Sequence, residues 1–298
     1  MDINKMISSS TRIIALIGNP VRHSLSPKIQ NYFISKYSKD AVYVAFEFKR
    51  ENLKEAFNGA KKLGFMGLNV TMPYKEEVFK LIDRLDTISS IIKSVNTVKF
   101  NQKDGTSVGF NTDVEGFLKS LDEKKFKWTG KQCLVIGAGG AARSAIYGTL
   151  TKQVKKIYVY DKIKEKGAEI INNFKIIGSE KIEVLTSIND INSKVEDIDL
   201  IVNCTPMGMD IESYKNMLPI PGNWNLKGKY VFDMVYKPVE TRFLKKAKKE
   251  GATVINGIDL LVNQAALSFK VWFDIIPQTD YIKSMVLDNI ENNLIIKK

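Results

Sequence analysis

At 298 residues the chain is long for one hydrophobic core, since single cores stop growing at roughly 250–300 residues, and two domains are expected. A hydrophobic content of 44% with scattered charge excludes a disordered chain. The formal net charge of +12 invites a nucleic-acid reading, but the lysines are spread along the whole chain with glutamates beside them, as in "KKAKKE". We therefore expect a solvated basic surface that can steer an anionic ligand, and no nucleic-acid partner.

Short β-rich runs alternate with helical patterns from one end to the other. Strands are predicted at 12–18, 42–48, 67–70, 96–100 and 107–110, with helices near 27–37, 51–63 and 75–85. "NQKDG" between the last two strands reads as a hairpin turn, so one antiparallel pair interrupts a βα-alternating half. A helix over 114–126 follows. The pattern then restarts with strands at 131–136, 156–160, 181–185, 198–203, 230–234 and 252–255, helices in most of the gaps, and helical stretches at 258–274 and 280–295. Such alternation predicts an α/β fold with mostly parallel sheet covered on both faces, and the domain crossing is placed near 113.

Two cysteines and one histidine limit the chemistry. Cys133 and Cys204 sit in separate apolar runs, which excludes a disulfide framework and a CxxC zinc site, so no metal is expected. His23 is the sole candidate for a histidine triad, and no GxSxG elbow accompanies it. Chemistry falls to lysines and carboxylates. The amino-terminal apolar run is too short for a signal peptide or a membrane span, and no other run approaches about 18 apolar residues. The expectation is a cytoplasmic protein with no membrane partner.

"VIGAGGAAR" (135–143) carries an apolar strand straight into Gly137, Gly139 and Gly140 and on into a helix from Ala141. Glycines there permit a tight turn and let N–H groups at the helix start approach a pyrophosphate. Strictly the pattern is GxGGxxR, with Ala142 at the third glycine position. At the end of the next strand stands Asp161, close to the spacing at which an acid accepts the ribose 2′-hydroxyl of NAD. Lys162, Lys164 and Lys166 follow at once, and a cation there holds the 2′-phosphate of NADP. The two signals conflict, and a solvated helix start with Asp161 as N-cap accounts for all four as well.

"NPVRHSLSPKIQNYF" (19–33) follows the first strand. Ser26 suits a helix N-cap and Pro27 its first turn, and the extra hydroxyl of Ser24 makes the pair a natural carboxylate seat. In "GLNVTMPYKEEV" (67–78), Lys75 comes just past the end of a strand, the edge where open α/β sheets place ligands. Asp113 in "GFNTD" is a partner that could hold its ammonium. Spacing alone favours an ordinary surface lysine and an N-capping aspartate.

Taken together, "HSLSP" (23–27), "LNVTMPYKEEV" (68–78), "SVNTV" (94–98), "GFNTD" (109–113), "VIGAGGAARSA" (135–145), "NCTPMGM" (203–209), "DMVYKPVETRFL" (233–244) and "GIDLLVNQAALSF" (257–269) resemble the shikimate dehydrogenase family. The resemblance implies reversible hydride transfer between a nicotinamide cofactor and 3-dehydroshikimate, with Lys75 as general acid and Asp113 as its partner. It assigns Ser24, Ser26 and Tyr236 to the substrate carboxylate and Thr71, Asn96 and Gln264 to ring hydroxyls. Gly137, Gly139, Gly140 and Ala141 would meet the pyrophosphate and Gly257 the nicotinamide, with Thr205 in the loop alongside. The cofactor implied is NADP, with NAD also compatible because Asp161-Lys162-Ile163 replaces the Asn-Arg-Thr of most NADP-using relatives. Leu260 replaces a frequent Met, and the first ten residues have no counterpart and are expected to be disordered. Both serines favour shikimate over quinate.

The domains so implied are a substrate domain with a mixed sheet over 1–113 and a Rossmann-like domain over 114–274. A terminal helix in 275–298 is expected to return to the first, and the active site to lie between the two. The only expected partner besides the small-molecule substrate is a second copy, as a monomer or homodimer. A dinucleotide-responsive regulator is the alternative outside enzymes, opposed by the retention of Lys75 and Asp113.

Overall fold

The computed structural model describes residues 7–185, 187–192 and 194–295. By contact the chain forms two compact units, Met1–Thr112 with Ala265–Ile282, and Asp113–Gln264 with Lys283–Lys298.

In the first unit, strands β1 (Arg12–Gly18), β2 (Ala41–Glu47), β3 (Gly67–Val70), β4 (Arg84–Leu85), β5 (Thr97–Phe100) and β6 (Ser107–Phe110) form one sheet in the order β2-β1-β3-β5-β6-β4. β1 runs parallel to β2 and β3, whereas β5 is antiparallel to β3 and β6. Helices α1 (Ser26–Lys36), α2 (Leu53–Lys62), α3 (Lys75–Phe79) and α4 (Thr87–Ile92) belong to this unit. Its core gathers Ala15, Leu68 and Val98 from the sheet with Phe57 and Val78 from the helices. Each large side chain fully buried in this way stabilises by roughly 1.5–3 kcal/mol.

The single helix expected over 75–85 ends at Phe79 and is followed by β4 and α4. Asp83 is the cause. Its carboxylate accepts the N–H and the hydroxyl of Ser107, both at 2.7 Å, and the ammonium of Lys61 at 2.7 Å. This draws the chain alongside β6. Asp86 then starts α4 by accepting the N–H of Ser89 at 2.8 Å.

The second unit opens with α5 (Asp113–Glu123) and continues through β7 (Gln132–Ile136), α6 (Gly140–Leu150), β8 (Lys156–Tyr160), α7 (Lys164–Phe174), β9 (Ile182–Leu185), β10 (Leu200–Asn203), β11 (Tyr230–Asp233), α8 (Arg242–Lys249) and β12 (Thr253–Ile255). The six strands pair in parallel in the order β12-β11-β10-β7-β8-β9. Successive strands run outward from β7 on one side and from β10 on the other. The switch of direction between them opens a crevice at the strands' carboxyl ends, the position at which doubly wound sheets bind ligands. α7 lies against β9 because Gly167 has no Cβ, which would stand 2.4 Å from Cγ1 of Val184.

Helices α9 (Gly257–Phe273) and α10 (Asp280–Ile295) complete the chain. The division departs from the expected boundaries at 274 and 275, because residues from Ala265 onward group with the first unit and those from Lys283 with the second. Hydrogen bonds account for this. Gln30 donates to the Ala265 carbonyl at 2.9 Å, the Ser268 hydroxyl lies 3.0 Å from Nδ2 of Asn69 and 2.8 Å from Oγ1 of Thr97, and Trp272 donates to the Val98 carbonyl at 2.9 Å. The ammonium of Lys283 meets Glu123 at 2.5 Å and Asp259 at 3.5 Å.

Of the first ten residues, expected to be disordered, 1–6 lie outside the described residues. Residues 7–10 are placed, with the hydroxyls of Ser10 and Thr11 donating to Asp40 at 2.9 and 2.7 Å. Among the described residues no helix is long and apolar enough to cross a membrane.

Candidate functional site

In the first unit the sequence-predicted residues gather where β1 and β3 end. A Cβ on Gly18 would stand 2.3 Å from Cγ2 of Thr71, so the bare glycine lets the two strand ends meet. The N–H of Thr71 donates to the Ile17 carbonyl at 2.9 Å, and that of Asn19 to the Met72 carbonyl at 3.0 Å. The loop that follows β1 is pinned by Glu47, whose carboxylate accepts the N–H of Val21 at 2.7 Å and of Arg22 at 3.3 Å. The Val21 N–H in particular holds the Glu47 carboxyl below the ordinary range. Sequence reasoning missed Glu47, because nothing local links the end of β2 to a loop more than twenty residues earlier.

That loop delivers Ser24 and Ser26. Ser26 is not the N-cap expected of it. The cap position is Leu25, with no side-chain hydrogen bond, and Ser26 is the first helical residue. Its N–H instead donates to the hydroxyl of Ser24 at 3.2 Å, so one serine satisfies the helix start and the other keeps its hydroxyl out of capping.

Lys75 opens α3, half-buried. The turn before it is fixed by Tyr74, which is fully buried, stacks on Phe48 with centroids 5.4 Å apart, and donates its hydroxyl to the Phe48 carbonyl. The Lys75 carbonyl accepts the N–H of Val95 at 3.0 Å, and the N–H of Val70 donates to the Asn96 carbonyl at 2.8 Å. Thr71, Lys75 and Asn96 are thereby held at one edge. The buried Asn96 side chain donates to Thr112 Oγ1 at 2.9 Å and accepts the Thr112 N–H at 2.9 Å. This fixes the residue that precedes Asp113. Asp113 is 7% exposed and begins α5 in the second unit.

In the second unit Gly137 adopts φ +108°, a left-handed conformation that favours glycine. A Cβ there would sit 3.3 Å from Cγ2 of Thr205, so the loop after β10 lies directly against the turn after β7. Gly139 caps α6, and the space its Cβ would occupy is open, with nothing within 4 Å. The N–H groups of Gly139, Gly140 and Ala141 belong to a helix start, where intrahelical partners are lacking. A bare, N–H-rich helix start is what a pyrophosphate requires, so the residues present fit a dinucleotide.

Asp161 does not cap α7, whose cap position is Ile163. Its carboxylate accepts the N–H of Ala138 at 2.8 Å and of Ile163 at 2.9 Å, clamping the glycine turn to the end of β8. Lys162 is exposed beside it. Gly257 begins α9, and a Cβ on it would stand 2.3 Å from the Met234 carbonyl oxygen, so α9 touches the segment leading to Tyr236 only because this residue is glycine. Tyr236 is half-buried. Gln264, further along α9, donates to the Leu261 carbonyl at 2.7 Å.

Sequence reasoning also missed a buried network behind Thr205. Asp233, fully buried, accepts from Nδ2 of Asn203 at 2.9 Å, the Val235 N–H at 3.1 Å and the Thr241 hydroxyl at 2.6 Å. Oδ1 of Asn203 accepts the hydroxyl and the N–H of Thr205 at 2.6 and 3.1 Å, and its Nδ2 also donates to the Met207 carbonyl at 3.1 Å. Burial outweighs the hydrogen bonds and pushes the Asp233 carboxyl up to about 6. The available signal was the polar residue closing each apolar run, in "LIVN" and "YVFD", since polar groups at such buried positions must find partners.

The parallel sheet with its glycine turn, together with a separate mixed-sheet unit, makes this a two-domain α/β protein of the dinucleotide-binding class. Residues 16–98 match the family described as shikimate dehydrogenase substrate binding domain, and residues 120–236 that described as shikimate / quinate 5-dehydrogenase. A shikimate dehydrogenase (NADP(+)) of Methanococcus vannielii is 37% identical over 292 residues, 96% of this chain and 100% of that protein. A crystal structure of a shikimate dehydrogenase in complex with NADP+ superposes with a TM-score of 0.84 at 34% identity, covering 96% of this chain and 98% of that one. A shikimate 5-dehydrogenase from Listeria monocytogenes, in complex with shikimate and NAD, gives 0.84 at 29% identity, covering 95% and 98%. The chain belongs to the shikimate dehydrogenase family.

Proposed function

We infer that the protein catalyses the reversible, NADP-dependent reduction of 3-dehydroshikimate to shikimate, an enzyme of aromatic amino-acid biosynthesis. The family relationship across both units supports this. Bound NADPH would supply the hydride to C3. In that direction Lys75 donates a proton from Nζ to the oxygen that becomes the 3-hydroxyl, and Asp113 keeps its ammonium charged and oriented. Ser24, Ser26 and Tyr236 bind the carboxylate, and Thr71, Asn96 and Gln264 the ring hydroxyls. Gly137, Gly139, Gly140 and Ala141 take the pyrophosphate, Thr205 lies alongside, Gly257 faces the nicotinamide and Lys162 meets the 2′-phosphate.

The first unit is assigned most of the substrate contacts, and the second the dinucleotide together with Tyr236 and Gln264. The enzyme is assigned to the cytoplasm, acting as a monomer or homodimer. The observation that carries the residue assignment is the convergence of Thr71, Lys75 and Asn96 at the shared edge of β1, β3 and β5, which offers a general acid and hydroxyl-binding groups together.

A second reading is an NAD-preferring quinate/shikimate dehydrogenase, supported by Asp161 standing where most NADP-using relatives carry Asn. Initial rates with shikimate and with quinate, each with NADP and NAD, test both. Turnover of shikimate with NADP is the expected result. Turnover of quinate with NAD supports the second reading, and no turnover with any pair overturns both in favour of a regulator.

A further inference from the structure

We propose that Asp233 is a positioning residue for this reaction, holding the Thr205 loop against the glycine turn and the Tyr236 segment in register through one closed set of hydrogen bonds. The inference rests on the functional reading above for what Thr205 and Tyr236 contact. Its geometry stands independently.

Three donors converge on Asp233, one from each of three segments: Asn203 at the end of β10, Val235 just past β11, and Thr241 at the cap of α8. A side chain that accepts at both of its ends satisfies all three as they stand, and an ionised carboxylate is such a group. The choice propagates. Because Nδ2 of Asn203 is turned toward Asp233 and the Met207 carbonyl, its Oδ1 is left for both donors of Thr205. Asp233 and the Met207 carbonyl together therefore set the sense of the Asn203 amide, and the amide sets Thr205, whose loop packs on Gly137. Thr241 completes the closure, since it takes part in two bonds: it donates to Asp233 and accepts the N–H of Leu244 at 3.2 Å to start α8.

On the other side, the Val235 carbonyl accepts the Gly257 N–H at 3.3 Å. One carboxylate thus lies behind the residues given to the dinucleotide, the nicotinamide and the substrate carboxylate. A strand end that needed only packing would not call for a carboxylate in a position where burial raises its pKa. The thiol of half-buried Cys204 is raised above its ordinary value by desolvation and then by this same carboxylate.

Asp233→Asn preserves shape but places an NH2 group among three donors. An NH2 turned toward Asn203 and Val235 meets two donors. Turned toward Thr241 it can donate to that hydroxyl, whose own O–H then loses its acceptor. In either case the charge that strengthens the set is gone, and a compensating flip of Asn203 would turn its own NH2 toward the Thr205 N–H. The experiment compares wild type, Asp233→Asn, Thr241→Val and Thr241→Ser by calorimetric titration with NADP, steady-state kinetics with shikimate, and thermal unfolding. For Asp233→Asn we expect the NADP Kd and the shikimate KM each to rise about tenfold, the effect of losing one well-placed buried hydrogen bond. Thr241→Val should show a smaller rise in both and Thr241→Ser none.

Unchanged Kd and KM in a folded Asp233→Asn protein, with only a lower unfolding temperature, overturn the proposal. If that variant does not fold, the Thr241 pair decides: Kd and KM that rise in Val and recover in Ser support the coupling, and values equal in both overturn it. Failure of the functional reading is separately visible, as wild type that binds NADP without oxidising shikimate. The NADP Kd of the variants then still reads the Thr205 half.

Discussion

Asp161 spends its carboxylate on the backbone, accepting the Ala138 N–H with Oδ2 at 2.8 Å and the Ile163 N–H with Oδ1 at 2.9 Å. The first bond fixes the glycine turn and the second the start of the loop that carries Lys162. An acid at this place therefore need not signal NAD. Its charge is partly met by two N–H dipoles, and its removal disturbs the turn that any dinucleotide uses.

Asp161→Ala is accordingly expected to weaken NADP and NAD together, by about fivefold to twentyfold, the range for losing a charged acceptor of one part-buried and one exposed N–H. The ratio of the two affinities should move toward NADP by no more than about fivefold, the ~1 kcal/mol that a unit charge is worth at about 4 Å in water. Calorimetric titration with each dinucleotide checks this. A large gain for NADP with no loss for NAD would show that Asp161 faces the ribose rather than the backbone.

Lys75→Ala should lower kcat by roughly 10²–10⁴, the usual worth of general acid–base catalysis, while the NADP Kd stays within about twofold, a margin under ~0.5 kcal/mol. Asp113→Asn should fall in the same direction by less, since the lysine remains. Single-turnover rates with shikimate and NADP measure both. Near-normal turnover in Lys75→Ala would remove the proton-transfer role from this residue.

Glu47→Gln tests how the serine loop is held. Both N–H groups meet the same oxygen, so a glutamine oxygen can still accept them, but the charge that strengthens the bonds to Val21 and Arg22 is gone. The shikimate KM should rise about threefold to tenfold, as expected for weakening one charge-assisted bond, with kcat and NADP affinity little changed. A rise in the NADP Kd equal to that in KM would mean a general loss of structure instead of a local loosening of the Ser24–Ser26 approach.

What the sequence made legible follows from range. Period and turn chemistry locate β1, β3 and the β5–β6 hairpin because alternation and the "NQKDG" turn are local, and the glycine turn is legible because strand, Gly137 and helix are contiguous. The helix expected over 75–85 failed at Asp83, whose partners Lys61 and Ser107 lie 22 and 24 residues away. Asp161 was visible as an acid at a suggestive spacing, but its engagement with Ala138 depends on how two strand ends meet, which no spacing encodes. The Asp233 network failed to show for a similar reason. Each member sits at a separate strand end or helix cap, and only the order of β7, β10 and β11 in the sheet brings them together.

Stability should carry an acid-side signature of Asp233. Its carboxyl titrates near the ordinary value of 3.8 when unfolded and is pushed up to about 6 in the folded protein by burial. Between those values the native state binds more protons than the unfolded chain. This group's contribution therefore favours folding below pH 4 and is lost as pH rises from about 4 to about 6. Asp83 acts in the opposite sense. Its pairing with Lys61 and Ser107 lowers it to about 2, so its stabilisation is present above pH 4 and lost as pH falls toward 2. Asp233→Asn removes the first term only. The difference in unfolding free energy between wild type and variant should thus shift against wild type by on the order of 2–3 kcal/mol between pH 4 and pH 6.5, about 1.4 kcal/mol per pKa unit. Urea midpoints across that range measure it, and a pH-independent difference would mean that the Asp233 carboxyl titrates as it does in the unfolded chain.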